Sequence, residues 1–218
     1  MKIERALLIN PPSGLYRRDD RCQSKVEDQT VAVIFPPIEL AYLAAMLEQK
    51  EVICQIQDYP VTCGDWDIFR SNIHLFQPQM LIINTTTPTL VNDLKAAAIA
   101  KSIYLDMITI ARGEYFSFYD EQVLTDYPQV DILLRGEAEL TIAELVTAPD
   151  LSSVLGITYR NADGTITRNP ARPLLDNLDL IPFPSRHLFD RRTSQQGGRG
   201  DRKGTGRSWR ERRYCQCR

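Results

Sequence analysis

Histidine and cysteine, the residues that most metal, redox and nucleophilic sites require, are scarce in this sequence. It has two histidines and five cysteines among 218 residues. The cysteines are odd in number and lack the spacing of a disulfide framework, which excludes a disulfide-rich secreted scaffold and predicts a cytoplasmic protein. They are Cys22, Cys54, Cys63, Cys215 and Cys217.

Long hydrophobic runs are also absent. No apolar stretch approaches the roughly 20 residues that a membrane-spanning helix needs, so no membrane partner is expected. The opening segment MKIERALLINPP predicts a strand rather than a signal peptide, because its apolar part is short and runs into Asn10-Pro11. The sequence contains neither a Walker loop nor a Gly-x-Gly-x-x-Gly loop, which excludes two common phosphate-binding motifs.

Charge is distributed unevenly along the chain. Residues 190–218 contain ten Lys and Arg against three acids, a net charge of +7; the whole chain carries −2, so the residues before them carry −9. This Gly- and Arg-rich segment has almost no apolar residues to offset the entropy of ordering, and it is predicted to be a disordered basic tail. Its charge would attract phosphates. Its only aromatic residues are Trp209 and Tyr214, however, so a tail without a function of its own is a better interpretation than a nucleic-acid-binding segment.

Short apolar runs alternate with helical periods over the first 150 residues. Five continuous apolar runs are typical of parallel strands buried on both faces, and each is followed by a segment of helical spacing. The strands are expected at 6–9, 52–56, 80–83, 107–110 and 131–134, and the helices at 36–48, 65–76, 88–104, 117–127 and 139–146. This order predicts an α/β fold with a doubly wound, mainly parallel five-stranded sheet, flavodoxin-like or Rossmann-like.

A different pattern follows the last predicted helix. Residues 156–160 and 165–168 flank an Asp163-Gly164 turn, which is the signature of a β-hairpin. Two prolines in residues 178–184 predict an extended connector. The expected organisation is an α/β domain over 1–148, a hairpin and linker over 149–189, and the basic tail over 190–218.

The carboxyl ends of the predicted strands carry small polar side chains and backbone amides. Ligands bind outside these ends in open parallel sheets. No nucleophile–base pair and no His or Cys cluster accompanies them, so the residues predict a ligand-binding fold without catalytic groups or metal ligands of its own. Taken alone, Thr85–Thr87 is interpreted as a helix N-cap cluster, and Arg135-Gly136-Glu137 is also consistent with a turn whose acids are favoured by a helix dipole.

Several segments, taken in order, carry a resemblance to a known family. They are Leu7–Pro12 with Pro36–Ala45, Asn84–Thr89, the Arg135-Gly136-Glu137-Ala138-Glu139 turn, Gly156–Arg160 and Leu178–Arg186. Together they resemble the cobalamin-binding radical S-adenosylmethionine proteins, over residues 5–189. Each segment alone is weak evidence, and the specificity lies in the ordered set.

The resemblance implies a cobalamin-binding domain of a B12-dependent radical S-adenosylmethionine enzyme, a methyltransferase or a related enzyme. The implied small-molecule cofactor is cobalamin in the base-off form. No Asp-x-His-x-x-Gly motif occurs, and His74 and His187 are the only histidines, so no histidine ligand to cobalt is expected. The implied cofactor contacts are Asn10, Pro11, Pro12, Thr85, Thr86, Thr87, Gly113, Gly136 and Glu137.

Two segments depart from the family pattern. The fourth-strand loop, usually Gly-Gly-x-His, is Ala111-Arg112-Gly113-Glu114 here, and Arg112 is expected to obstruct the approach of a ligand to the backbone. The Cys-x3-Cys-x2-Cys motif of the family's 4Fe–4S cluster is absent, because Cys215 and Cys217 are only two thiolates at the wrong spacing. S-adenosylmethionine and the cluster are therefore expected only in a full-length relative, and this chain alone is expected to be inactive.

The radical barrel, which is the natural domain partner of the family's linker, does not follow residue 189. A truncation or a frameshift near Asp190 is expected, with the tail translated from another frame. The alternative to cobalamin binding is a flavodoxin-like, non-catalytic interaction module that binds no cofactor, and Arg112 favours it.

Overall fold

The structure, a computed structural model, describes residues 3–14 and 36–189, together with Tyr16 and Lys25. The predicted disordered tail lies outside the described residues. The strands are β1 (Arg5–Asn10), β2 (Ile53–Asp58), β3 (Met80–Asn84), β4 (Ile108–Arg112), β5 (Ile132–Leu134), β6 (Ile157–Arg160) and β7 (Ile166–Arg168). The helices are α1 (Ile38–Glu48), α2 (Tyr59–Thr62), α3 (Trp66–Phe76), α4 (Leu90–Asp93), α5 (Lys95–Ile103), α6 (Phe116–Asp126) and α7 (Glu139–Leu145).

All seven strands form one sheet, in the order β2-β1-β3-β4-β5-β6-β7. The first five are parallel, which confirms the predicted doubly wound sheet. Their order is flavodoxin-like. Strand β2 lies on one side of β1, whereas β3, β4 and β5 follow on the other side, so the order of strand addition reverses between β1 and β3. Ligands of such sheets bind at the carboxyl ends beside this switch point.

Two hydrophobic cores lie on opposite faces of the sheet. Side chains alternate along a strand, so Leu8 and Ile82 pack in the core with α1 and α7, whereas Leu7 and Leu81 pack in the core with α3, α5 and α6. Every residue of the central strand β3 is buried. Burial on both faces is the physical reason for the continuous apolar runs in the sequence.

The predicted hairpin is present, and it extends the sheet. Strand β6 pairs antiparallel with β5, and β7 pairs antiparallel with β6. The local pattern predicted the hairpin correctly, but periodicity does not reveal which sheet edge a hairpin joins. The strand pairing makes the hairpin a structural part of the domain.

The predicted long helix after β3 is divided. A 3-10 turn at Thr87–Thr89 leads into α4, and α5 begins only at Lys95. The interruption coincides with Asp93, a fully buried carboxylate that accepts a hydrogen bond from Thr89 Oγ1 at 2.6 Å. Side chains of this type compete with helical backbone geometry near a helix start.

Local capping explains where other elements begin. Helix α3 starts after Asp65, whose carboxylate accepts hydrogen bonds from the backbone N–H groups of Asp67 and Ile68. Helix α1 starts after Pro37, a residue suited to a helix entry. Among the described residues, no helix is both long and apolar enough to cross a membrane.

Candidate functional site at the carboxyl edge of the sheet

The last residues of four parallel strands form a polar row across the carboxyl edge. The register places Asp58 beside Asn10 and Asn84 beside Arg112, and the row crosses the switch point between β1 and β3. Asn84 Nδ2 donates to Asn10 Oδ1 at 2.9 Å, and both amides are buried. The sheet thus fixes this pair at the place where the fold class binds ligands.

Arg112 completes the row from β4. Its Nη1 donates to Asn84 Oδ1 at 3.1 Å and forms an ion pair with Glu39 in the first turn of α1. Arg112 is 9% exposed. The guanidinium expected to obstruct the edge is therefore held on the α1 side of the row by two partners.

The threonine run after β3 divides into two buried residues and one exposed residue. Thr85 donates through both its backbone N–H and its hydroxyl to the carbonyl of Arg112, each at 2.9 Å. The Thr86 hydroxyl lies 2.6 Å from that of Thr89, and the Thr86 N–H donates to Asp93. Thr87 is exposed. Thr85 and Thr86 therefore shape the loop, and Thr87 presents a side chain at its surface.

The loop after β1 is fastened to the loop after β3. Asn92 Nδ2, from α4, donates to the carbonyl of Pro12 at 2.8 Å. Together with the Asn84–Asn10 bond, this contact brings Asn10, Pro11 and Pro12 beside the threonine run, as the site prediction requires.

Gly113 packs directly against Thr85, in the loop after β3. A side chain at this position would collide with the Thr85 hydroxyl and lie 3.1 Å from the Thr85 carbonyl oxygen. The glycine is required by close approach, because a Cβ would push β4 and the threonine loop apart.

Gly136 and Glu137 form an open turn one strand farther along the edge. Gly136 has φ +65°, and no atom lies within 4 Å of the position that a Cβ would occupy. Glu137 is exposed, whereas the flanking residues Arg135 and Ala138 are buried. The turn offers backbone and a carboxylate to a ligand, while its neighbours are part of the folded core.

Two of the ionisable groups with shifted pKa values are Asp120, which lies behind this turn, and Cys54, which lies in the core. Burial alone would raise the pKa of Asp120, but hydrogen bonds from Thr158 and Arg168 and the charges of Arg168 and Arg135 hold it below its ordinary value. Burial, followed by the charge of Glu48, raises the pKa of the Cys54 thiol to about 12, so Cys54 is not a thiolate at neutral pH. Within the described ranges, no three His, Cys, Asp or Glu side chains gather in a metal-binding cluster.

A concavity lies at the opposite edge of the sheet. It has a volume of about 430 Å³ and is open to solvent, and its lining includes Arg5, Gln79 and Tyr104. It sits at the amino ends of the strands, so it shares no residue with the predicted site. The carboxyl edge is the better candidate because the switch point and the predicted residues coincide there.

Three residues of the carboxyl edge were not identified from the sequence. Glu39 in a first helical turn is indistinguishable from an acid that simply favours the helix dipole. Asp93 lies four residues after Thr89, a spacing that signals a side-chain pair on a helix. Asn92 carries no such signal, because its partner is a backbone carbonyl 80 residues away.

Comparisons with known proteins point to one family. A family model described as "B12 binding domain" matches residues 25–146. An uncharacterized methyltransferase of Pyrococcus horikoshii is 32% identical over 193 residues, which are 87% of this chain and 39% of that protein. The anaerobic magnesium-protoporphyrin IX monomethyl ester cyclase of Rubrivivax gelatinosus is 31% identical over 161 residues, 69% of this chain and 29% of that protein.

Solved structures share the fold. The radical S-adenosylmethionine methyltransferase TsrM of Kitasatospora setae, with cobalamin and a 4Fe–4S cluster bound, matches with TM-score 0.57 and 18% identity over 84% of this chain and 31% of that chain. The cobalamin-dependent radical enzyme OxsB, with aqua-cobalamin and S-adenosylmethionine bound, matches with TM-score 0.59 and 19% identity over 84% and 24%.

The chain therefore spans about two fifths or less of the length of these relatives. The family model covers more than half of its residues, and the predicted family resemblance is confirmed. This chain belongs to the B12-binding domain family, of the kind found in cobalamin-dependent radical S-adenosylmethionine enzymes.

Proposed function

We propose that this domain holds cobalamin over the carboxyl edge of its sheet, in the base-off form and without a histidine ligand to cobalt, on behalf of a larger radical S-adenosylmethionine enzyme. The proposed contacts come from four loops: Asn10, Pro11 and Pro12 after β1, Thr85, Thr86 and Thr87 after β3, Gly113 after β4, and Gly136 and Glu137 after β5. The observation that supports the proposal is that these loops share the carboxyl edge of the sheet in a B12-binding domain, where the loops after β1 and β3 flank the switch point.

The residues at this edge fit a large polar ligand. Gly136 leaves open space where any other residue would place a Cβ, so a ligand can approach its backbone. Thr87, after β3, and Glu137, next to Gly136, are exposed and offer hydrogen-bonding groups. The buried Asn10–Asn84 pair supplies a rigid floor, because each amide is held by the other strand.

The division of roles follows from burial. Thr85 packs against Gly113 and donates to the Arg112 carbonyl, and Thr86 bonds Thr89, so these three proposed contacts also set the shape of the site. Thr87, Gly136 and Glu137 are the groups that touch a ligand from the open side. Cobalamin, when bound, supplies a cobalt centre that can carry a methyl group or take part in one-electron chemistry.

The positions of the two histidines support the absence of a histidine ligand. His74 lies in the last turn of α3 and packs against the Tyr104 ring. His187 Nε2 lies 2.9 Å from Glu48 Oε1 at the end of α1. Both elements end at the amino edge of the sheet. We expect the electron paramagnetic resonance spectrum of bound cob(II)alamin to lack nitrogen superhyperfine splitting; its presence would contradict the base-off, histidine-free form.

The larger activity is proposed from the relatives. Proteins described as methyltransferases and as a cyclase match this chain, and OxsB binds both cobalamin and S-adenosylmethionine. A methyl transfer or a related radical step is the activity to which this domain contributes. The chain alone, reconstituted with iron and sulfide, is expected to yield no 5′-deoxyadenosine; formation of that product would contradict this part of the proposal.

Titration with hydroxocobalamin, followed by the corrin absorption bands, tests the binding. A matched pair of variants locates it, because Gly136 and Gly164 both have positive φ and open space around them, and only Gly136 lies at the carboxyl edge. Each change to Ala should cost about 1 kcal/mol of stability or slightly more. Gly136→Ala should also weaken cobalamin binding, and Gly164→Ala should not. Saturating cobalamin without a spectral change would refute the proposal.

A further inference from the structure

The hairpin of β6 and β7 holds the residue that precedes the open turn. The side chain of Arg135 is buried, and its Nη2 donates to the carbonyls of Ile157 at 3.1 Å and of Asn169. Its backbone N–H donates to the carbonyl of Gly156 at 2.8 Å. Three backbone oxygens of the hairpin segment thus fix one arginine at the end of β5.

A buried carboxylate completes this attachment from the other side. Asp120 of α6 has Oδ2 3.4 Å from Arg135 Nε and 2.7 Å from Arg168 Nε. The hydroxyl of Thr158, on β6, donates to the same oxygen. The arginine is therefore held between α6 and both hairpin strands, and its charge is compensated inside the protein.

The open turn makes few packing contacts of its own. Gly136 has open space around its Cα and a positive φ, and Glu137 is exposed. Its conformation must be set by the buried residues on either side, Arg135 and Ala138. A ligand-binding turn of this kind needs support from behind, because unsupported loops sample many conformations.

We infer that Arg135 is a positioning residue for the cofactor and that the hairpin, through Asn169, is part of the binding unit. The inference rests on the proposed cobalamin site. The matched family model ends at residue 146, whereas the groups that fix Arg135 extend to residue 169. The hairpin holds Arg135, and Arg135 in turn fixes the positions of Gly136 and Glu137. The hairpin itself does not contact the ligand.

Arg135→Lys in the full chain tests the inference, with Arg172→Lys as its control. Arg172 also fastens the segment after β7, through Thr141 and Glu144 of α7, but it does not contact the turn. Lysine keeps the charge and loses the planar guanidinium, which faces Asp120 through Nε and two backbone carbonyls through Nη2. Arg135→Lys should weaken hydroxocobalamin binding by about ten- to hundredfold, the range for groups that orient a binding group from behind.

The control separates positioning from general stability. Arg172→Lys should lower the urea midpoint by a similar amount and leave the cobalamin dissociation constant within about twofold. Thr158→Val, a nearly isosteric change, provides a milder variant that removes one partner of Asp120, and it should weaken binding in the same direction. Equal dissociation constants for wild type, Arg135→Lys and Thr158→Val would overturn the inference.

Amide hydrogen exchange at residues 136–138 supplies a second readout that needs no cofactor. Exchange there should be faster in Arg135→Lys than in wild type and unchanged in Arg172→Lys; unchanged exchange in Arg135→Lys would overturn the inference. If wild type itself shows no corrin shift, the proposed function fails, and the exchange rates still decide whether Arg135 positions the turn.

Discussion

Arg112 and Arg135 stand at the carboxyl ends of neighbouring strands and serve opposite faces of the sheet. Arg112 is 9% and Arg135 7% exposed. The register pairs Arg112 with Leu134, so Arg135 lies one position beyond it, and alternation along a strand turns the two side chains apart. Arg112 meets Glu39 of α1, whereas Arg135 meets Asp120 of α6.

The difference shows that residue type alone does not assign a role at this edge. A buried cation must be paired, and the origin of its partners decides what it connects. Arg112 contacts Asn84 of β3 and Glu39 of α1, and both residues belong to the parallel part of the domain beside the switch point. Arg135 joins the core to the hairpin, and thereby places the open turn.

The largest effect is expected when Asp120 is removed, because Arg135, Arg168 and Thr158 share this carboxylate. Asp120→Ala leaves Arg135 buried without its compensating charge, which should lower the free energy of unfolding by about 3–5 kcal/mol. Urea denaturation followed by circular dichroism measures it. Asp126→Ala, an exposed carboxylate on the same helix, should stay within about 0.5 kcal/mol of wild type. Equal midpoints for the two variants would contradict the proposed network.

A double-mutant cycle sharpens the comparison from the Arg112 side. Arg112→Met should cost about 1–3 kcal/mol, because it leaves the buried Asn84 oxygen with one donor fewer. Its combination with Glu39→Gln should be non-additive by about 0.5 kcal/mol or more. With Thr158→Val, which belongs to the other network, the effects should add. Strong coupling in the second cycle would show that the two arginines form one network.

The threonine loop offers a smaller contrast between support and contact. Thr89→Val removes a donor to the buried Asp93 and should cost about 1–3 kcal/mol. Thr87→Val, at an exposed position, should change stability less than Thr89→Val does. It should weaken cobalamin about fivefold, the value of one hydrogen bond of roughly 1 kcal/mol. Cobalamin binding unaffected by Thr87→Val would remove Thr87 from the proposed contacts.

The smallest effect concerns pH. Because the pKa of Asp120 is lowered in the folded protein, the unfolded chain binds its proton first as the solution is acidified. Its contribution is therefore complete above its ordinary pKa near 3.8 and is lost as pH falls through the lower folded value. Asp120→Asn should flatten the acid limb in urea unfolding below about pH 4, where the pH falls from the ordinary pKa of Asp120 towards its lower folded value. An unchanged pH dependence of the free energy of unfolding would contradict an ionised Asp120 in the folded protein.

The fold was largely predictable from the sequence because burial on both faces leaves a continuous apolar signal. The strand ends were predictable too, since Asn10, Thr85 and Gly136 follow such runs. The partners of the two arginines were not, because Asp120 and Glu39 lie 15 and 73 residues away from them. Periodicity reports what is local, whereas a buried charge finds its partner through tertiary packing.

The structure brings some of the site residues predicted from the sequence into contact with one another. Asn10, Pro12, Thr85 and Gly113 are joined by direct contacts or through Asn84 and Asn92. The turn at Gly136 lies on the neighbouring strand, and its role as a contact stays a prediction. Nothing in a local pattern distinguishes a threonine whose hydroxyl is used internally, such as Thr86, from one that faces a ligand.

Hydrogen exchange of the full chain with and without hydroxocobalamin tests the location of the site most directly. The cofactor should protect amides at residues 87, 113 and 136–137, on the carboxyl edge. The amides of residues 77, 79 and 103–107, which line the concavity at the amino edge, should exchange at the same rates in both samples. Protection confined to the amino edge, with none at residues 136–137, would contradict the account.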